Sequence, residues 1–343
     1  MQKRVRNILL AAMMVLAWSL GETSVIINSA PGLFHYHILQ IDGVVHRNGE
    51  ALTLYYSRIL APYAIWALAK YGGVSMHMAI IIFMAVMLFV LNAFWALVGV
   101  RYCRSWIASI ILVLFTSWAL TTIIRVDIWQ TTPWDWVILV FTSMFAYLAF
   151  TGAPIGSFAA LFVPFLLTRE SALYIPIFLA ASAVTLVGKH LVVDWKRLSI
   201  AILMFVGGTM VIEVLRTGHL TNPILHMAGS QWNMVQHSIR YMFDDAWIGR
   251  IYIAIGLILI GYGMRSVYSL VPNAAASAIT IGFIVISIFR FAEIADYRVW
   301  FDVLPFAFMI LAVWARELIT RRLSSPLLAV NGKKVRKTSI GLQ

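Results

Sequence analysis

Apolar residues arrive along this chain in long runs separated by short polar breaks. A helix needs about 20 consecutive apolar residues to cross the hydrocarbon core of a bilayer. Runs of that kind fall at 8–28, 74–100, 105–124, 134–150, 198–215, 248–264, 271–289 and 300–318. The stretch 157–187 is long enough for two more, broken at Arg169-Glu170, so the pattern predicts ten spans. The alternating strands of about ten residues that mark a membrane barrel are absent. The expected fold class is all-α: a polytopic transmembrane helical bundle over residues 1–318. A basic tail follows at 319–343, rich in Ser, Gly and Lys and expected to be cytoplasmic and disordered.

Composition agrees with that pattern. Hydrophobic residues make up 62% and charged residues 12% of 343, against about 45–50% and about 25% in soluble globular chains. The net charge of +12 does not point to nucleic acid, because the basic residues sit mainly in short loops and tails. Lys3, Arg4 and Arg6 precede the first apolar run, as in a signal peptide. However, Asn28-Ser29-Ala30 is a poor cleavage site and Pro31 follows it directly, so an uncleaved signal-anchor is expected. Cys103 is the sole cysteine, which leaves no intrachain disulfide and no Cys-based metal site.

The stretch 51–70 decides the parity of the spans. Its apolar run is interrupted by Arg58 and Pro62, and Tyr55, Tyr56, Tyr63 and Trp66 suit a membrane interface. If it lies in the interface, sixteen of the 26 Lys and Arg share the cytoplasmic side with the N-terminus, as the positive-inside rule favours. Both termini are then cytoplasmic, and the two large outer loops are 29–73, with interfacial helices, and 216–247. Ten of the 14 acids fall on the outer face.

Charge in a membrane protein is costly unless it has a partner or a task. Asp42, in the first outer loop, is placed to act as a general base; the plain alternative is an Asp42-Gly43 turn. Glu50 is a weaker second acid, suited also to the first turn of an interfacial helix. Arg58 could bind a lipid phosphate or simply snorkel. Arg125 and Asp127 end one span and Asp135 begins the next, among Trp129, Trp134 and Trp136; an aromatic belt with an ion pair is the structural reading. Arg169 is suited to holding a phosphate oxygen with Glu170 orienting it, or the two form a short outer turn. The densest cluster is Arg290, Glu293, Asp296, Tyr297 and Arg298, which could clamp an anion or form a structural ion network. His35-x-His37 and the histidines of 216–247 match no metal spacing, so no metal ligands are assigned. Asp244-Asp245 leaves a divalent cation possible, and no confident cofactor is expected. No phosphate-cradling glycine loop, nucleophile elbow or HExxH is present.

Three stretches carry a resemblance: Tyr56-Ser-Arg58-Ile-Leu-Ala-Pro62, Leu167-Thr-Arg169-Glu170, and Glu293-x-x-x-Tyr297-Arg298 before Leu304-Pro305. In order and position they resemble polytopic bacterial proteins of the GT-C glycosyltransferase superfamily. The likeness covers most of 1–318 as architecture, and its motifs are short. It implies a polyprenyl-phosphate-linked sugar donor, and inverting transfer outside the cytoplasm to a hydroxyl of a glycan, lipid or protein acceptor. It also implies a catalytic acid in the first outer loop, carried here by Asp42, with Asp127 as the second acid. Arg58, Arg169, Arg290 and Arg298 would hold the donor phosphate. Glu50, Arg125, Asp135, Glu170, Glu293, Asp296 and Tyr297 would support them. The protein would sit in the bacterial cytoplasmic membrane. The rival readings are a polymerase or ligase of lipid-linked glycans, and a lipid or solute transporter or flippase, for which midplane charges and internal repeats are expected.

Overall fold

The structure, a computed structural model, describes residues 2–29, 33–47, 57–126, 135–187, 190–217, 247–291 and 297–338. It is 87% helical. The described residues form twelve α-helices: α1 (Gln2–Ser29), α2 (Leu33–His46), α3 (Leu60–Gly72), α4 (Met76–Leu97), α5 (Trp106–Val126), α6 (Asp135–Thr151), α7 (Ile155–Leu166), α8 (Tyr174–Ala183), α9 (Trp195–Thr217), α10 (Trp247–Val267), α11 (Ala274–Phe291) and α12 (Leu304–Thr338). Each of the eight clear apolar runs overlaps a helix, and 157–187 holds α7 and α8. Among the described residues, four stretches are long and apolar enough to cross a membrane: Ala11–Asn28, Met76–Tyr102, Trp195–Thr217 and Trp300–Arg321. The other apolar helices are shorter over their described parts.

The outer surface of the bundle fits a lipid environment. Ile107, Ile110, Ile111, Leu114 and Trp118 on α5 are exposed, as are Ile202, Leu203, Phe205, Val206 and Met210 on α9. Apolar patches of that extent do not stand open to water in a monomeric soluble protein.

Contacts between helices sort their ends. At one end, Cys103 Sγ donates to Ala312 O (3.3 Å) and Trp314 Nε1 donates to Ser266 Oγ (3.1 Å). The Arg316 guanidinium covers the Tyr102 ring at 4.7 Å, and Tyr102 meets Tyr147 edge-on at 6.1 Å. Arg101, Arg104 and Arg265 lie at this same Arg101 end by their places on α4, the turn after it and α10. At the opposite end, Phe34 stacks on His77 with ring centroids 4.1 Å apart, and Leu60 N–H donates to Leu167 O (2.9 Å). Hence α3 begins beside Leu167 and is followed by α4 beginning beside Phe34, both at one end. Residues 60–72 do not carry the chain across, and α2 and α3 pack together as two short helices, with Tyr63 Oη donating to Val45 O (3.3 Å). Gly73, at φ 65°, supplies the left-handed residue that stops α3.

One expectation is corrected. The second half of 157–187 is not helix to its end. α8 stops at Ala183, and Val184–Val187 pairs antiparallel with His190–Val193, in register Val184↔Val193 through Val187↔His190. Val184, Thr185, Val187, Val192 and Val193 are β-branched, which favours strand over helix. α12 continues as helix to Thr338, within the segment 319–343.

The turn from α4 to α5 is tight. α4 runs into a π-helical turn, Val98–Tyr102, and a Cβ on Gly99 would stand 2.2 Å from Ser109 Cα. Gly99→Ala must therefore push two backbones apart, which should lower unfolding stability in detergent by about 1–3 kcal/mol; an unchanged thermal midpoint would refute the packing. Placement of α3 is checked by cysteine labelling in a Cys103→Ala background. Single cysteines at His35 and Tyr71 are expected to react with an impermeant maleimide from the same side, and cysteines at Arg104 and Tyr268 from the other.

Candidate functional site

The site forms around the turn between α7 and α8. The backbone N–H groups of Thr168 and Arg169 both donate to Phe165 O at 2.9 Å, and Thr168 Oγ1 donates to Pro164 O at 2.9 Å. These bonds close α7 and leave Arg169 in extended backbone, so the next residues restart as the 3-10 turn Glu170–Leu173. The Leu60–Leu167 backbone bond ties residues 57–60 to this turn.

Glu170 is the centre of a four-residue network. Ser57 Oγ donates to its Oε1 at 2.9 Å, Arg58 Nη2 donates to Oε2 at 3.3 Å, and Arg216 Nη2 donates to Oε1. Arg216 Nε also donates to Ser57 Oγ at 3.4 Å. The side chains are largely enclosed, with Arg58 13%, Arg216 18% and Glu170 25% exposed. Burial alone would raise the pKa of the Glu170 carboxyl, which lies in the turn outside both helices. The Arg58 and Arg216 guanidiniums outweigh burial, assisted by a backbone hydrogen bond and Arg169, and bring it down to about 2. Glu170 is thus a fixed anion that orients cations and is a poor proton acceptor.

A second carboxyl lies one layer deeper. Asp302, at the end of the 3-10 helix Tyr297–Asp302, is 4% exposed. Its Oδ2 accepts from Ser171 Oγ at 2.7 Å, and its Oδ1 from Thr142 Oγ1 at 3.4 Å. Arg169 and Arg58 both act on it electrostatically. Thr142 is seven residues into α6, so this layer lies about 10 Å below the first residue of that helix at 1.5 Å per residue. Three arginines and two carboxyls therefore converge. Beside them is a crevice of about 520 Å³, lined by Arg47, Leu60, Tyr63, Leu167 and Leu215 among others.

The crevice joins this cluster to the end of α2. Arg47 follows His46, whose Nδ1 donates to Asp42 Oδ1 at 2.8 Å one helical turn back. Asp42 and Gly43 lie inside α2, so the alternative of an Asp-Gly turn is excluded. Both partners are accessible, Asp42 43% and His46 52%.

Of the expected site residues, Arg58, Arg169 and Glu170 are brought together. The expectation that Glu170 orients Arg169 is refined, because its direct hydrogen bonds go to Arg58 and Arg216. Asp135 is in the first turn of α6, 2% exposed, where a carboxylate suits a helix N-terminus. Arg125, Arg290, Tyr297 and Arg298 are placed by backbone only, in the last turn of α5, near the end of α11 and in the 3-10 helix before α12. Their side chains, and all of Glu50, Asp127, Glu293, Asp296 and Asp244-Asp245, lie outside the described residues. Among the described residues, no three His, Cys, Asp or Glu gather as a metal site.

Sequence reasoning missed Arg216, Asp302, Ser57 and Thr142. Arg216 ends an apolar run and Asp302 begins one, where a charge reads as a span boundary. Their remaining signal is the cost of a charge in an apolar run, the same signal that singled out Arg58. Comparison with family models, curated proteins and solved structures returned no match.

Glu170→Gln leaves two enclosed guanidiniums without their counter-charge. The expected loss is about 3–5 kcal/mol, read as a lower thermal midpoint in detergent, and partly regained in Glu170→Gln/Arg216→Gln. The folded carboxyl has the lower pKa, so its stabilisation is complete above an ordinary carboxyl value near 4.5 and fades as pH falls toward 2. Glu170→Gln should show a smaller loss of stability across that window than the parent; equal losses would show that Glu170 is not the group responsible.

Proposed function

We propose that this chain is an integral membrane glycosyltransferase. It would move a sugar from a polyprenyl-phosphate donor to an acceptor hydroxyl, with inversion, on the face carrying the Glu170 cluster. One observation carries this reading: the convergence of Arg58, Arg169 and Arg216 on two carboxyls beside a crevice lined by Arg47, the residue that follows α2.

The planar guanidinium groups of Arg58, Arg169 and Arg216 suit a phosphate monoester or diester. The same groups would stabilise the phosphate as it departs, so no general acid is needed for the leaving group. Asp42 would take the acceptor proton, with His46 beside it to share and orient that proton. Asp127 is retained as the second acid, and Arg290 and Arg298 as further phosphate partners, on the resemblance alone. The layout suits the bacterial cytoplasmic membrane, with the Arg101 end and both termini inside, as positive charge prefers.

Phosphate recognition is tested first on purified protein in detergent. A long-chain polyprenyl phosphate is expected to raise the thermal midpoint and the matching polyprenol is not. Arg58→Ala and Arg216→Ala should each weaken the effect about 10–100-fold in affinity, from losing a charge-assisted bond of about 1.5–3 kcal/mol. Equal protection by the alcohol would sink the phosphate reading. In proteoliposomes supplied with polyprenyl-phosphate sugars, Asp42→Ala should lower transfer by about 10²–10⁴-fold while leaving helical content unchanged. Undiminished transfer by that variant would remove Asp42 as the base.

A further inference from the structure

A second polar group lies away from this site, inside the membrane-spanning segments. Glu22 falls within the apolar stretch Ala11–Asn28 of α1 and is 6% exposed. Asn92, at 1% exposure, stands well inside the stretch Met76–Tyr102, about 24 Å from its start and about 15 Å from its end at 1.5 Å per residue. Asn92 Nδ2 donates to Glu22 Oε2 at 2.7 Å and to Ser19 Oγ at 3.0 Å. Trp18 Nε1 donates to Ser117 Oγ at 2.7 Å, and the Ser117 hydroxyl acts in turn on the Glu22 carboxyl. Glu22 Oε1 is buried and has no hydrogen-bond partner.

Among the described residues, no cation faces this carboxyl from the helices packed against it. On α4 and the π-helical turn that follows it the ionisable residues are His77, Arg101 and Tyr102; His77 is about 22 Å from Asn92 along the axis and Arg101 about 14 Å. On α5 the ionisable residue is Arg125, about 12 Å beyond Ser117. On α1 itself the others are Lys3, Arg4 and Arg6, the nearest about 24 Å from Glu22. An uncompensated carboxylate at such a place costs many kcal/mol, so the group must carry a counter-charge of its own. The groups turned toward it are an amide NH2, an indole N–H and hydroxyls. The amide nitrogen, facing Glu22 and Ser19, would repel a metal cation but is compatible with a protonated acid.

We propose that Glu22, held by Asn92, Ser19 and Ser117, is an intramembrane proton-binding site that exchanges its proton with water. The ligand is the proton itself: uptake converts the carboxylate to the carboxylic acid, with the new O–H on the unpartnered Oε1. Release returns the proton to water and leaves an anion stabilised by the Asn92 N–H and the Ser117 hydroxyl. The site stands independently of the glycosyltransferase reading, since none of its residues belongs to the Glu170 cluster.

Infrared difference spectra of the full chain in proteoliposomes, parent minus Glu22→Gln, test it directly. The expected result is a protonated-carboxyl band at neutral pH that is absent from the variant and moves to lower frequency in D2O. Absence of the band would show an ionised Glu22, and a band unmoved by D2O would show a proton that does not exchange. Either result overturns the proposal. Should Glu22→Gln fail to fold, dicyclohexylcarbodiimide on the native protein gives the second readout. The acid O–H adds across one C=N bond, the proton going to nitrogen, and acyl migration yields an N-acylurea that retains every atom of the reagent. Peptide mapping is expected to find that adduct on Glu22 at neutral pH and to find it diminished at alkaline pH. A yield that is nil, or equal at both pH values, overturns the assignment.

Discussion

A charged side chain among apolar helices has no water to satisfy it, so its partners must come from elsewhere in the chain. That constraint fixes the geometry around Glu170. Its carboxylate draws Arg58 from the segment before α3 and Arg216 from the end of α9, and Ser57 fills the remaining position. Segments that share no continuous apolar seam are thereby held in one place. Asp302 repeats the device with Ser171 and Thr142, fixing the start of α12 to α6 and to the α7–α8 turn. Helix packing in a bilayer has little hydrophobic force to guide it, so such polar ties contribute disproportionately to which helix meets which.

The same constraint explains what the sequence could disclose. The eight clear apolar runs became helices, because length and hydropathy are local properties of the chain. Arg58 and Pro62 interrupt the apolar run of 51–70, and α3 begins beside Leu167 and ends just before α4. The strand pair after α8 was legible only in retrospect. Its β-branched residues sit in a run whose hydropathy matches that of a helix.

The site was legible in part for a different reason. Arg169-Glu170 stood out because two adjacent charges interrupted an otherwise apolar stretch. Their partners did not, since Ser57 is 113 residues from Glu170 and Asp302 is 131 residues from Ser171. Nothing local marks a single arginine at a helix end as an ion-pair partner and not a snorkelling cation. Glu22 was overlooked because an acid near the end of a first span reads as the start of a loop. Only the placement of Asn92 and Ser117 around it shows that it lies inside.

The shortness of α7 and α8 has a consequence for the bilayer itself. Twelve and ten residues make rods of about 18 and 15 Å at 1.5 Å per residue, well short of a hydrocarbon core of about 30 Å. Lipids packed against this corner meet a hydrophobic wall too low for them, and relieve the mismatch by thinning or by letting headgroups sink toward the turn. The membrane would be dimpled there, bringing phosphates down to the level at which Arg58, Arg169 and Arg216 are held.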